Sequence, residues 1–220
     1  MTTIKSQKAS RKGSRSTKPV QVAIGFRVKS GRAIAVLLAG SAASPEVLDR
    51  REIPLCDPAV PDSMQPYHAA LEMTGRMATN TIDRLVRVVQ RATSASVGEL
   101  VKEWGGAGPE AGAGCEIRGA GLVVGSLNDP AAIRNDHIRA HALEGQLFRV
   151  AVEDALRPNG LTSVAIPERD VYSRAVAALS LPEDELKQSV TELGRAIAGP
   201  WRADEKTAAL AAWMMLRSGG

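Results

Sequence analysis

Val20-Gln21-Val22-Ala23-Ile24-Gly25, then Lys29-Ser30-Gly31-Arg32, then Ala33-Ile34-Ala35-Val36-Leu37-Leu38: the fold turns on how this stretch is read. Two apolar runs rich in branched side chains flank a polar turn that holds a glycine, the pattern of two strands joined as a hairpin. A second polar link, residues 41–45, leads to a third run, Val47-Leu48-Asp49-Arg50-Arg51-Glu52-Ile53-Pro54-Leu55, with a more exposed face. Connections this short join antiparallel neighbours, because a parallel pair needs a crossover of a dozen residues or more. The chain therefore opens with a three-stranded antiparallel meander.

Downstream, the pattern changes to alternating helices and strands. A Pro-rich loop at 56–61 precedes Asp62 or Ser63, either of which can cap a long helix to about Gln90, with Pro66 tolerated in its first turn. Met64, Tyr67, Leu71, Ala78, Ile82, Leu85 and Val89 supply its apolar face. A shorter helix is expected at 97–104 and a glycine-rich loop at 105–114. Strand character returns at 116–125 around Gly121-Leu122-Val123-Val124, and Asn128-Asp129-Pro130 makes a turn. Asn135 or Asp136 then caps a helix to about Leu156, stopped by Arg157-Pro158-Asn159-Gly160. A fifth strand at 162–166 is followed by helices at 169–179, from about Ser180 (with Leu186, Val190, Leu193 and Ile197 on one face), and at 204–216. The expectation is an α/β fold with a five-stranded mixed sheet flanked by helices, built from residues 19–220 as one domain.

Charge separates the first 18 residues from the rest. They hold Lys5, Lys8, Arg11, Lys12, Arg15 and Lys18 and no acid, which leaves 22 basic against 24 acidic residues in the body. A Ser-, Thr- and Lys-rich segment without an apolar run is expected to be a disordered basic tail. Lys12 and Arg15 are its candidates for holding phosphates of DNA or RNA. Arg84, Arg87 and Arg91 along one side of the first long helix are a second candidate nucleic-acid face. No run of 18 apolar residues exists, so no membrane span is expected. Two cysteines, Cys56 and Cys115, are too few for a disulfide framework and read as small hydrophobes in a reducing, cytoplasmic setting. Trp201 and Trp213 read as core or interface anchors for a protein partner or a second copy.

Chemistry concentrates between Asn135 and Arg149. His137, His141 and Glu144 fall within roughly 60° of one another on a helix. Three readings fit. His137 and His141 at i and i+4 can share one metal ion (Mg, Mn or Zn) with a carboxylate, for which Asp204 is a candidate. Arg139, His141 and the helix N-terminus, with Ser126 nearby, can hold an anionic ligand. Or the histidines are satisfied polar groups and Glu144 pairs with Arg139 or Arg149.

The element order resembles the ribonuclease H-like superfamily. Within it, Val22-Ala23-Ile24-Gly25-Phe26-Arg27 followed by Ala33-Ile34-Ala35-Val36-Leu37 is similar to the opening of the Holliday-junction resolvase branch. Ala203-Asp204-Glu205-Lys206-Thr207-Ala208-Ala209-Leu210-Ala211-Ala212-Trp213 is similar to that branch's final helix. The resemblance implies phosphodiester hydrolysis by carboxylates that gather two divalent cations. It places one acid where this chain has Gly25 and another where it has Gly125 and Ser126, while Asp204 matches the acid that opens the final helix. Glu205 adjoins that position, and Glu72, early in the first long helix, is a further candidate. The catalytic candidates are Glu144, Asp204 and Glu205, and His68 and Glu72 are placed to reach the same edge. What the resemblance implies is a nucleic-acid-associated protein with degenerate nuclease acids. The alternatives are a structural or interaction module of the same fold and a single-metal phosphoester hydrolase.

Overall fold

The computed structural model describes residues 19–106 and 115–217. The expected basic tail, with Lys12 and Arg15, and most of the glycine-rich loop lie outside the described residues. Strands β1 (Val20–Lys29), β2 (Arg32–Ser41) and β3 (Ser44–Pro54) form the antiparallel meander. Helix α1 (Gly75–Gly106) leads to β4 (Cys115–Val124), α2 (Asp136–Leu156) and β5 (Ser163–Pro167). Helices α3 (Val171–Leu179), α4 (Glu183–Leu193) and α5 (Ala203–Arg217) complete the chain. The strand order is β3-β2-β1-β4-β5, with β4 parallel to both β1 and β5. This is the mixed five-stranded α/β sheet that the sequence pattern calls for.

The alternation of β1 sorts the helices into two layers. Val22, Ile24, Phe26 and Val28 face α1 and α2, in a cluster with Val89, Trp104, Phe148 and Val152. Ala23 faces the other way, into a cluster with Val171, Leu186 and the alanines of α5. On that second face Gly25 of β1 pairs with Gly121 of β4. A Cβ on Gly25 would occupy the space of the Ala208 carbonyl oxygen, and one on Gly121 would lie 2.7 Å from the Ala211 oxygen. The two glycines thus let α5 lie directly on the middle of the sheet.

Three helix boundaries differ from the sequence reading: α4 stops at Leu193, so Ile197 stands beyond it in extended backbone, and the other two differences lie around α1. No helix starts at Asp62 or Ser63. Short 3₁₀ turns at Pro61–Met64 and His68–Ala70 stand there instead, so neither His68 nor Glu72 is on the first long helix. Ser63 is fully buried and its hydroxyl bonds back to the Val60 oxygen at 2.6 Å, tying the loop rather than capping a helix. The expected break between two helices at 91–96 is absent: α1 runs on to Gly106 and absorbs Gly105. Thr93 is what would argue for a break, since threonine competes for backbone bonds. Here its hydroxyl donates outward to the Leu55 carbonyl at 3.1 Å, and the buried stripe continues through Val97, Leu100, Val101 and Trp104.

The start of α2 is as expected. The Asn135 side chain accepts the Ile138 N–H at 2.9 Å. Asn135→Ala is expected to cost about 1 kcal/mol in a urea melt, the usual worth of a side-chain cap.

Candidate functional site

Two groups of polar side chains flank the carboxyl ends of β1 and β4. The first is built by β1 and the start of α5. Arg27 shares the face of Ala23 and Gly25, so its guanidinium emerges where the sheet ends, only 6% exposed. It pairs with Glu168, donates to the Val28 carbonyl at 3.2 Å, and lies 3.7 Å from Asp204. Lys29 holds the other oxygen of Asp204 at 2.6 Å. Asp204 is therefore neutralised by β1 cations. Its neighbour Glu205 turns elsewhere: it accepts the Arg202 N–H at 2.8 Å, capping α5, and faces Arg50 at 3.7 Å while 4% exposed.

The second group is the meeting of all three histidines in the chain. His68 comes from its 3₁₀ turn, and His137 and His141 from the first two turns of α2. One ligand nitrogen from each lies within 4.8 Å of the others. The Nε2 atoms of His137 and His141 are 3.2 Å apart. Beneath them Glu144 is fully buried, and its Oε1 accepts both the His68 Nδ1–H at 2.8 Å and the His68 backbone N–H at 3.2 Å. His68 Nε2 and Glu144 Oε2 have no hydrogen-bond partner among the described residues.

The sequence candidates thus separate. Glu144, Asp204 and Glu205 do not converge. Glu144 serves His68, Asp204 serves Lys29, and Glu205 serves the α5 N-terminus. Asp204 is not in the histidine group, whose third member is His68. Glu144 pairs with neither Arg139 nor Arg149: Arg139 binds Asp136 and the Ile133 carbonyl, and Arg149 binds Glu153. Ser126 and His141 line one pocket of about 560 Å³, with Arg149 rather than Arg139 on its wall. A smaller pocket of about 290 Å³ lies between Arg27, Lys29, Gly125, His141 and Gly145, so His141 is common to both. Glu72 is exposed and outside these groups.

Arg84, Arg87 and Arg91 are exposed on α1 as expected, and Arg76, at the start of the helix, extends their row. Helical geometry places all four within roughly 80° of arc, and none of them has a carboxylate partner among the described residues. Arg76 is hidden in the sequence because the loop before it has helical spacing, and Arg27 because the family pattern directs attention to acids. The alternation Ala23, Gly25, Arg27 is the available signal for the latter. Burial pushes the Cys56 and Cys115 thiols up from their ordinary range, away from the thiolate a nucleophile needs. The Trp201 and Trp213 indoles donate internally, to the Val190 and Ala42 carbonyls.

No family model matches the chain, and no curated protein matches it in sequence. Solved structures do. The Holliday-junction complex of RuvC from T. thermophilus is 13% identical, with 88% of this chain and 91% of that one aligned at a TM-score of 0.53. Another Thermus thermophilus RuvC structure is 12% identical over 88% and 92%, at 0.51. At that identity the likeness is one of architecture, and it extends over nearly the whole of both chains: this protein has the ribonuclease H-like fold of the RuvC resolvases.

Proposed function

We propose that the chain is a nucleic-acid-associated protein of ribonuclease H-like fold, with residues 19–220 as one domain, whose two-cation nuclease acids are degenerate. The observation that carries nucleic-acid association is the row Arg76, Arg84, Arg87 and Arg91, four exposed guanidinium groups with no carboxylate among the described residues to neutralise them. Arginines without acid partners along a helix suit a phosphate backbone, which a bidentate guanidinium recognises well. The basic residues 1–18 add a second contact of the same kind. One of the similar structures holds a Holliday junction, so branched DNA is the first ligand to try.

Degeneracy is supported by what occupies the sheet end. Gly25 stands where the resemblance calls for the first acid, under a helix that leaves no room for a side chain. Arg27 and Lys29 follow it and neutralise Glu168 and Asp204. Two cations need a ring of free carboxylates, whereas the acids at this sheet end, Glu168 and Asp204, are each already paired with a basic side chain. An interaction module is the less favoured reading, because both tryptophans offered as its anchors are satisfied within the fold.

The test is fluorescence anisotropy with four-way-junction and duplex DNA at several salt concentrations. Affinity is expected to fall steeply with salt. Arg84→Ala, Arg87→Ala and Arg91→Ala together are expected to reduce the slope by about three, one for each phosphate left without its arginine. No binding at low salt would remove the nucleic-acid reading, and an unchanged slope in the triple variant would remove the arginine row as its contact. Cleavage of either substrate with Mg²⁺ or Mn²⁺ would remove the degenerate one.

A further inference from the structure

We infer that His68, His137 and His141 are the protein ligands of one divalent transition-metal ion of the zinc class, with Glu144 as the carboxylate that positions His68. The inference is independent of nucleic-acid binding. Three imidazoles are brought together from two elements 69 positions apart at their nearest members, His68 and His137, and their rings lie against one another with centroids 4.2–4.8 Å apart. The His137 and His141 Nε2 atoms, 3.2 Å apart, match the edge of a tetrahedral site. For metal–nitrogen distances near 2.0–2.1 Å that edge is about 3.3 Å.

Glu144 is the second, independent observation. With its Oε1 accepting from His68 Nδ1, the ring proton sits on Nδ1 and the Nε2 lone pair is left free. That Nε2 is buried and unpartnered among the described residues. Carboxylate to imidazole to metal is the arrangement that fixes the tautomer of a metal-bound histidine and raises its basicity. A cation beyond the imidazole also places a positive charge near the fully buried carboxylate, whose ion-pair partner among the described residues is His68.

Three nitrogen donors choose the metal class. Mg²⁺ and Ca²⁺ take oxygen ligands, whereas imidazole suits zinc and its neighbours. Three protein ligands leave the fourth tetrahedral position for a water or an exogenous oxygen, the open form of such sites. His141 also lines the pocket that holds Arg27 and Lys29, so an anionic oxygen, as on a phosphate, is the chemistry suited to that position.

The experiment uses the untagged full-length chain, stripped with a chelator and titrated with Zn²⁺ or Co²⁺ alone. One equivalent of Co²⁺ is expected to give the visible absorption of a tetrahedral site, to be displaced by Zn²⁺, and Zn²⁺ is expected to raise the melting temperature. His137 and His141 are exposed, so His137→Ala and His141→Ala leave the core intact. Each is expected to weaken binding by roughly 100-fold or more and to abolish the Zn²⁺-induced stabilisation, while Glu144→Gln weakens it by about 10- to 100-fold. Absence of stoichiometric Zn²⁺ or Co²⁺ binding by the wild-type chain overturns the inference. So does binding that survives unchanged in both histidine variants, whose folding is checked by circular dichroism of the metal-free protein.

Discussion

Gly25→Asp is expected to lose at least about 3 kcal/mol of stability, or to yield no folded protein, although it installs the acid that a two-cation nuclease would have in its first strand. The reason is steric before it is electrostatic. A Cβ at Gly25 falls on the backbone oxygen of Ala208, and the next nearest atoms, Ala208 C and Ala212 N, also belong to the backbone of α5. Backbone cannot swing aside as a flexible side chain can, so α5 must lift off β1 and β4 together. Lifting it exposes Ala208, Ala211, Ala212 and their partners in the second core cluster. It also buries a carboxylate between a sheet and a helix, which is costly in its own right. For a chain of this size the loss corresponds to roughly 6–12 °C in melting temperature. Gly98→Ala is the control: the site is helical with open space around it, and the change is expected to be neutral or to stabilise by up to about 1 kcal/mol. A Gly25→Asp variant that melts with the wild type would mean that α5 is not seated on the sheet as described.

The same close approach limits how much of this sheet end is legible in the sequence. The strands announced themselves through short apolar runs and turn glycines, and the meander followed from connection length alone. Gly25 was visible as a departure from the resemblance, but a sequence cannot say that a helix backbone fills the space above it. Arg27 and Lys29 were hidden for a related reason: their importance lies in being aimed at Asp204 and Glu168, residues more than 140 positions away. The histidines were legible as i and i+4 neighbours on α2, because helical period is local information. That His68 completes them depended on a loop. The pattern suggested a helix from residue 62 onward, whereas Ser63 bonding back to Val60 keeps the segment in short turns until Gly75. Glu144 illustrates the limit of spacing. Read along the helix, its partners should be Arg139 or Arg149, yet each of those has a closer acid of its own, and the fully buried position of Glu144 faces the His68 turn.

Trp104→Ala is expected to cost about 3–5 kcal/mol, the range for truncating a buried aromatic. Trp104 is 1% exposed and the largest fully buried side chain, so little of its cavity can be refilled by solvent or by surface groups. It sits in the last turns of α1, the part that the sequence pattern cut off as a separate short helix, and it anchors those turns against the sheet. Its indole N–H also donates to Asp49 Oδ2 of β3 at 2.8 Å, while Arg51 binds the same oxygen at 2.8 Å and reaches Glu103 on α1. Burial alone would push the Asp49 carboxyl up. The Trp104 N–H, the Arg50 backbone N–H and Arg51 outweigh it and hold the carboxyl below its ordinary value. Trp104→Phe separates the two roles, since it keeps most of the volume and removes the donor, for an expected loss of about 1–3 kcal/mol at neutral pH. Because the folded-state value is depressed, this contribution is fully present above the unfolded value near 3.9 and is lost as pH falls through the folded value. The gap between wild type and Trp104→Phe in urea melts should therefore be constant from pH 7 to about pH 5 and narrow below about pH 4, while the larger gap to Trp104→Ala persists. A wild-type to Trp104→Phe gap that does not change with acid would show that the Asp49 carboxylate draws nothing from the indole, and that Trp104 fixes the end of α1 by packing alone.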